Sequence, residues 1–389
     1  MDFEEADKFI QFGCWNNMNI SIKDGQPVGC LKKVMDRLRQ YVDENKPSLD
    51  FMVIAGDNYY PDKYKKTDKT KVKIIYPSRL EEGIKLLPTD LPVHVILGNH
   101  DLETNSSKQS LFIHDKDTNT TTSETGDCAI IRYEKEVMQT KPNIHYNLFD
   151  FKRLKENTLL LMIDTSMYSD DVNKYLPCYN IFLGTTFATS EELINYQTEA
   201  IKKEIINFVG GVKHIIIIGH HPITGLKYNE KENQVELLND IIKFDEVLKE
   251  IYVLAGGNKV NYYYLCADLH MYQQGTIELD VAADDSAKML IEQYIVGTGG
   301  TKLDDEIPPE TINNPYPSSD GDRGIKYRMK AVSYSCGFLE CNIEGGNLMF
   351  KPILLNEHLY GGRKTRRSKK TKRGKKTRKA RRSKKTKRN

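Results

Sequence analysis

Val93-His94-Val95-Ile96-Leu97-Gly98-Asn99-His100-Asp101 opens as a run of β-branched and other apolar residues and stops abruptly in Gly-Asn-His-Asp. That is the pattern of a buried strand closed by a turn. Buried strands of α/β proteins present their chemistry at their carboxyl ends. Gly98 lets the backbone turn, and Asn99, His100 and Asp101 then offer an amide oxygen, an imidazole and a carboxylate side by side. Alone, such a cluster is equally a turn with a satisfied histidine. The same pattern recurs four more times along the chain, and the recurrence gives it weight.

Upstream, Phe9-Ile10-Gln11-Phe12 reads as a first strand ending at Gly13-Cys14-Trp15, and Asp50 to Ala55 as a second ending in Gly56-Asp57-Asn58-Tyr59-Tyr60. Between them, Val28 to Glu44 places Val28, Leu31, Val34, Met35, Leu38, Tyr41 and Val42 on one helical face. An amphipathic stretch from Pro77 to Leu87 precedes the strand quoted above. Alternating strands and helices, with polar residues at each strand end, argue for a parallel α/β sheet with a site along one edge. Glu103 to Asp127 interrupts the alternation, and Asp117 to Glu124 within it reads as an exposed loop.

Downstream, strands are expected at Ile144 to Phe151 and Thr158 to Ile163, the latter closing on Asp164-Thr165. A helix runs from Ser190, with Glu191 and Glu192 favoured by the dipole in its first turn, to about Phe208. His214 to Ile218 is a core strand ending in Gly219-His220-His221-Pro222, and a helix follows over about Val235 to Ile251. Tyr262 to Leu265 is the next strand, ending in Cys266-Ala267-Asp268-Leu269-His270. Later strands, near Gly275 to Leu279, Ile291 to Val296, Tyr334 to Ile343 and Leu348 to Leu354, lack long helices between them. They suggest a second, largely antiparallel sheet packed on the first. Asp304 to Arg323, rich in Pro and Asp, is a further loop.

Composition bounds these readings. The 389 residues are 39% hydrophobic and 9% aromatic, enough to bury a sizeable core. The formal charge of +3 conceals two objects, because residues 361–389 hold 18 of the 57 basic residues and no acid. What remains has 39 basic against 54 acidic residues, a net charge of −15. The seven cysteines are scattered and include no Cys-x-x-Cys pair, so they indicate neither a zinc knuckle nor a disulfide framework. The N-terminus is acidic, without an apolar signal region, and no run reaches the roughly 18 apolar residues of a membrane span. The expectation is an intracellular protein of cytoplasm or nucleus, not a secreted one.

The candidate ligands at the five strand ends are Cys14, Asp57 with Tyr60, Asn99 with His100, His220, and Asp268 with His270. Thiolate, carboxylate, phenolate, amide oxygen and imidazole together suit a transition-metal site with mixed donors, not an all-oxygen calcium cage. No Gly-x-x-x-x-Gly-Lys-Ser/Thr loop supports a P-loop nucleotide site, and no Gly-x-Ser-x-Gly elbow supports a serine hydrolase.

In this order and spacing, Gly56 to Tyr60, Gly98 to Asp101, Gly219 to Pro222 and Cys266 to Gln273 resemble the calcineurin-like metallophosphoesterases. The tyrosine three residues after Asp57 narrows the resemblance to the purple, or tartrate-resistant, acid phosphatase branch. Trp15, Asp164-Thr165 and Gly297-Thr298-Gly299-Gly300 also look like that branch, and the likeness covers roughly residues 8–302. It implies a four-layer α/β/β/α sandwich of two mixed sheets. It also implies two metal ions, Fe with Fe, Zn or Mn, joined by Asp57. One ion would be held by Asp57, Tyr60, His270 and whatever occupies position 14, the other by Asp57, Asn99, His220 and position 268. His100 would contact the phosphate and help protonate the leaving group, with Asn99 and His221 beside the substrate.

The physical logic behind that implication is general. Two cations about 3.5–4 Å apart neutralise an anionic phosphate ester, clamp the attacking and leaving oxygens, and bring the pKa of a bound water toward 7. A carboxylate can bridge both ions because it has two oxygens and a negative charge. The expected reaction is hydrolysis of a phosphate monoester, or a diester, by hydroxide formed from that water, with no phosphoenzyme.

Departures from the family pattern matter. The branch has Asp where this chain has Cys14, Gly or His at Asn16, and Gly-His-x-His where this chain has Ala267-Asp268-Leu269-His270. Asp268 can still bind a divalent ion, whereas a Cys14 thiolate would soften the first site. Another histidine of the branch falls where this chain has Tyr228-Asn229. Each residue also has a plain structural reading: Cys14 as a core thiol, Tyr60 as packing, His221 as support for its neighbour. His94, His114, His145, His214 and His358 show no partner pattern.

Beyond Gly361-Gly362 the chain is Lys, Arg, Thr, Ser and Gly, with Ala380 as its one apolar residue. Arg366 to Arg373 recurs as Arg381 to Arg388, a period of 15. Such a segment buries nothing, so the expected organisation is one domain over 1–357 and a disordered basic tail over 358–389. Arg363, Lys364, Arg366, Arg367, Lys369 and Lys370 are candidates for salt-sensitive contact with nucleic acid. A nuclear-localisation signal and an acidic surface are the competing readings. Comparable repeats look like tails on proteins of large DNA viruses, where packaging in a virion is an analogy. The alternative to the enzyme is therefore a degenerate phosphatase fold that binds or packages nucleic acid through its tail.

Overall fold

The computed structural model describes residues 7–17, 21–23, 26–28, 30–65, 71–103, 109–115, 118–124, 128–208, 211–281, 287–317, 324–356 and 360. The tail beyond position 360, with its candidate nucleic-acid residues and expected disorder, lies outside these.

Two large mixed sheets form the frame. The first has six strands in the order Ile144–Tyr146, Val93–Ile96, Phe51–Ala55, Lys8–Phe12, Gly337–Glu344, Asn347–Leu354. Its first four strands are parallel and its last two antiparallel. The second has eight strands in the order Phe149–Leu154, Thr158–Ile163, His214–Ile218, Asn261–Cys266, Lys288–Val296, Tyr272–Asp280, Ile325–Ser333, Pro315–Pro317. Thr158–Ile163 through Lys288–Val296 run parallel.

Burial shows the layering directly. Along His214–Ile218, Ile216 and Ile218 join one hydrophobic cluster while Ile215 and Ile217 join another. Thr158–Ile163 splits likewise, with Leu160 and Met162 on one side and Leu159, Leu161 and Ile163 on the other. A strand buried on both faces loses the apolar–polar alternation and reads as a continuous apolar run, which is why these two were legible. The first cluster fills the space between the sheets and continues to the Leu31–Asn45 and Pro77–Ile84 helices. The second packs the outer face of the eight-stranded sheet under Val172–Leu183, Ser190–Ile206 and Phe244–Ala255. The architecture is the expected α/β sandwich of two mixed sheets.

Several local expectations are corrected. The Glu103 to Asp127 stretch contains strands Gln109–Asp115 and Thr120–Glu124, the second inside the expected loop, and both join a small sheet with Asp62–Lys65 and Lys71–Ile75. Its threonines, taken as loop residues, are β-branched and suit a strand. The Val235 to Ile251 helix begins only at Phe244, because Gln234–Leu238 pairs with Gly225–Asn229 as a hairpin. Ile144 to Phe151 is two strands in different sheets, and Tyr334 to Ile343 starts at Gly337. The later strands also divide between the sheets: Tyr272–Asp280 and Lys288–Val296 pair antiparallel in the second, whereas Gly337–Glu344 and Asn347–Leu354 close the first. The Val172–Leu183 helix escaped notice, with Pro177 inside it. Tyr360, within the stretch assigned to the tail, still pairs with Val332.

Two disulfides, Cys30–Cys336 and Cys128–Cys178, overturn the reading of unpaired cysteines. Their partners lie 306 and 50 residues apart, so spacing carried no signal, and only the fold brings the Cα atoms to 6.4 and 5.1 Å. Disulfides persist in oxidising surroundings, so the cysteines lend no support to the expected cytoplasm or nucleus. Cys14, Cys266 and Cys341 are free and buried. Replacing Cys128 and Cys178 together by Ala should lower unfolding free energy by about 2–4 kcal/mol, read as a lower urea midpoint. Equal midpoints would show that the bond contributes nothing. No described helix is long and apolar enough to cross a membrane.

Candidate metal centre

The carboxyl ends of the parallel strands in both sheets meet at one place. Cys14 follows Lys8–Phe12, Asp57 follows Phe51–Ala55, and Asn99 and His100 follow Val93–Ile96. From the other sheet, His220 follows His214–Ile218, while Asp268 and His270 follow Asn261–Cys266. Turning a side chain sharply back toward the cleft at these ends takes unusual backbone. Cys14, Asn16, Asp57 and Asp268 have φ of 52°, 40°, 56° and 57°. Asp and Asn tolerate this left-handed region, but for Cys14 it costs on the order of 1–2 kcal/mol. The Cys14 carbonyl is held there by Thr301, which donates from Oγ1 at 2.8 Å and from its backbone N at 3.3 Å. Strain maintained this firmly is a mark of functional sites.

Asp57 is the centre of the arrangement, and its two oxygens face different neighbours. Oδ2 accepts from the Tyr60 hydroxyl at 2.6 Å and lies 3.8 Å from Cys14 Sγ. Oδ1 accepts from His100 N at 3.1 Å and lies 3.2 Å from His220 Nε2. Beneath it, the buried Asp101 carboxylate accepts from Gly98 N at 2.7 Å, Asn58 N at 2.7 Å, Asp57 N at 3.1 Å and Asn58 Nδ2 at 2.8 Å. Asp101 thus ties two ligand-bearing turns together. Gly98 has to be glycine, since a Cβ there would stand 2.4 Å from Asp57 N.

His220 is fixed from behind. Its Nδ1 is 2.7 Å from the Ala55 carbonyl, which leaves Nε2 aimed into the cleft. Nε2 lies 3.1 Å from Asn99 Oδ1 and 3.6 Å from Asp268 Oδ1. Thr165 Oγ1 accepts from both His220 N at 3.0 Å and His221 N at 2.9 Å, which gives the Asp164-Thr165 pair its part in the site. On the other side, Tyr60 Oη is 3.4 Å from His270 Nε2. Asp304 brackets His270, accepting from its N at 2.8 Å while Asp304 N donates to the His270 carbonyl at 3.0 Å. His100 Nδ1 is 2.8 Å from Glu103 Oε1.

Charge is concentrated here. Burial opposes ionisation of Asp57, yet His220, His100 and the Tyr60 hydroxyl hold its carboxyl below the ordinary value. Asp268 is likewise held down against burial by His220, His221 and His270. For His220, burial disfavours the imidazolium, but Asp57, Asp268 and the Ala55 carbonyl push it up to about 10. Burial, with His220 beside it, brings His221 down to about 4. Burial and the Asp57 and Asp268 charges drive the Cys14 thiol well above its usual value. Two ionised carboxylates in a buried pocket call for cationic charge, and a proton on His220 Nε2 and a metal ion compete for the same lone pair.

The donor set fits a metal. Ligand atoms of Cys14, Asp57 and His270 lie within 4.8 Å of one another, and so do those of His220, His221 and Asp268. Every described residue expected at the site is therefore brought together. Cys14, Asp57, His220 and His221 are buried at its floor, while Asn99, His100, Asp268 and His270 are partly exposed at its mouth. Asp101 was noted only as a carboxylate of the Asn99-His100 turn, and Glu103 and Asp304 were not singled out as contributors. Asp101 and Glu103 follow the Asn99-His100 turn directly, so proximity was a usable signal, whereas Asp304 gave none.

The family model for calcineurin-like phosphoesterases matches residues 8–272. Among solved structures the chain is similar to purple acid phosphatase PPD1 from yellow lupin (Lupinus luteus) seeds, at 11% identity and a TM-score of 0.47, covering 89% of this chain and 51% of that one. It is similar also to PhoD, at 10% identity and a TM-score of 0.45, covering 90% and 68%. The chain spans about half the length of the lupin protein. No curated protein matches it.

Proposed function

We propose that this chain, which belongs to the calcineurin-like phosphoesterase family, hydrolyses phosphate monoesters at a centre of two metal ions bridged by Asp57. The observation that carries this reading is the division of Asp57: Oδ2 faces Tyr60 and Cys14, and Oδ1 faces His220. In this assignment Cys14, Asp57, Tyr60 and His270 would hold one ion, and Asp57, Asn99, His220 and Asp268 would hold the other. When bound, such ions neutralise the ester's charge and bring a water's pKa toward neutrality.

The remaining work belongs to the side chains. Asn99, His100 and His221 line the approach of the phosphate, and Glu103 holds the His100 ring in place to protonate the leaving oxygen. A purely binding role for a degenerate fold would need Cys14 or Asp268 turned out of the cleft. Their closeness to Asp57, His270 and His220 supports the enzyme instead.

The test uses full-length protein loaded separately with Fe, Mn or Zn and assayed on 4-nitrophenyl phosphate, with bis-(4-nitrophenyl) phosphate as the diester control. Monoester turnover with at least one metal is expected, lost on chelation and restored on adding the metal back. Turnover of neither ester under any loading would sink the phosphoesterase reading, and turnover of the diester alone would replace the monoester by a diester.

A further inference from the structure

Directly after the two cleft histidines, the backbone is gripped by two buried glutamines of the second sheet. Gln293 accepts from Ile223 N at 3.0 Å and donates to the Thr224 carbonyl at 2.6 Å. Gln273 accepts from Leu226 N at 3.2 Å and donates to the Leu226 carbonyl at 2.5 Å. Both side chains are fully buried, and Tyr327 donates to Gln273 Oε1 at 3.3 Å. A side-chain amide used this way acts as a substitute strand, satisfying a backbone donor and acceptor at the start of the Gly225–Asn229 hairpin strand. The clamp fixes residues 223–226, and so sets where the next residue leaves the wall of the cleft.

That next residue is Lys227. Its side chain is 46% exposed, and Nζ lies 4.0 Å from Asp304 Oδ1, a loose pair. The other Asp304 oxygen accepts from His270 N, which puts the ammonium one residue away from a proposed metal ligand. Burial raises the nearby Asp240 carboxyl from its ordinary value, with Asp268 adding to the rise and Lys227 opposing it. Lys227 therefore stands at the Asp268–His270 lip, on a rigid root, with a flexible stem and a charge that is only partly used. The cleft below is lined with the carboxylates of Asp57, Asp268 and Asp304. An anionic substrate entering it gains from a cation at the lip that can form a charge-assisted hydrogen bond.

We propose that Lys227 is a specificity-determining residue that binds a second anionic group on the leaving-group side of the substrate. The preferred substrates are then phosphate monoesters whose alcohol or phenol portion is itself negatively charged. This rests on the phosphoesterase reading above. It goes further in naming a substrate class and a residue that holds no metal.

Two pairs of esters test it, each differing by one carboxylate on the leaving group: 3-phosphoglycerate against glycerol 3-phosphate, and 4-carboxyphenyl phosphate against phenyl phosphate. For Lys227→Met in the metal-loaded full chain, kcat/KM for the carboxylate-bearing member should fall about tenfold relative to its neutral partner in at least one pair. The loss should appear in KM, as expected for one charge-assisted hydrogen bond. Lys227→Arg should keep most of the selectivity. If Lys227→Met lowers both members of each pair equally, or changes neither, or acts through loss of bound metal, Lys227 merely braces Asp304 and His270 and the proposal is overturned. Wild-type turnover of any of the four esters separates the two claims. Where it is absent the phosphoesterase reading fails and takes this one with it. Where it is present, the selectivity ratio alone decides.

Discussion

Asp57→Asn should lower turnover by at least about a thousandfold, equivalent to ~4 kcal/mol of lost transition-state stabilisation, and should leave the protein binding less metal. The substitution keeps the volume and keeps the backbone N–H that Asp101 holds, so the fold has little reason to change. What it removes is the negative charge and one of two equivalent oxygens. An amide can offer a single neutral oxygen to Tyr60 and Cys14 on one side or to His220 on the other, not to both. Metal content per chain and kcat, measured together with far-ultraviolet circular dichroism, separate this effect from unfolding. Retention of turnover within tenfold of wild type, with full metal content, would show that Asp57 bridges nothing.

Asp101→Ala should cost about 3–5 kcal/mol of stability. The carboxylate is completely buried and accepts four hydrogen bonds, from Asp57 N, Asn58 N, Gly98 N and Asn58 Nδ2. Truncation strands those donors, and each buried unsatisfied donor costs about 1–3 kcal/mol, less whatever a penetrating water recovers. Asn58 adds to the damage, because its side chain also donates to the Ile96 carbonyl and accepts from Trp15 Nε1. Loosening Asn58 therefore reaches Trp15, next to Cys14. Urea unfolding measures the loss, and metal binding should weaken in the same variant while Asp101→Asn lies between the two. An unfolding free energy within about 1 kcal/mol of wild type would mean that the ligand turns keep their shape without this brace.

Much of the site was legible because its residues come in turns that close apolar runs. Gly56 to Tyr60, Gly98 to Asp101 and Gly219 to Pro222 announce strand ends by local chemistry alone, and in a parallel sheet strand ends meet. His214–Ile218 and Thr158–Ile163 were placed without error, since burial on both faces leaves nothing polar to blur them. Where an apolar pattern straddled two short elements, as over Val235 to Ile251, periodicity could not find the break. The threonine-rich run at Thr120–Glu124 was taken for a loop because its partners, Gln109–Asp115 and beyond, are specified by pairing and not by hydrophobicity.

The sequence by itself determined the alternating α/β order, the residues offered at the strand ends and the acidic body with its basic tail, because these depend on composition and on neighbours a few positions away. Tertiary structure alone decided which cysteines pair, that the last two strands return to the first sheet, and that Asp57 turns its two oxygens toward opposite groups of donors. It also decided that Asp101, Asp304 and the Gln273–Gln293 clamp hold the cleft in shape. The reason is physical: a hydrogen bond or a disulfide between residues tens to hundreds of positions apart leaves no trace in local pattern, and only the packing of two sheets brings those atoms within reach.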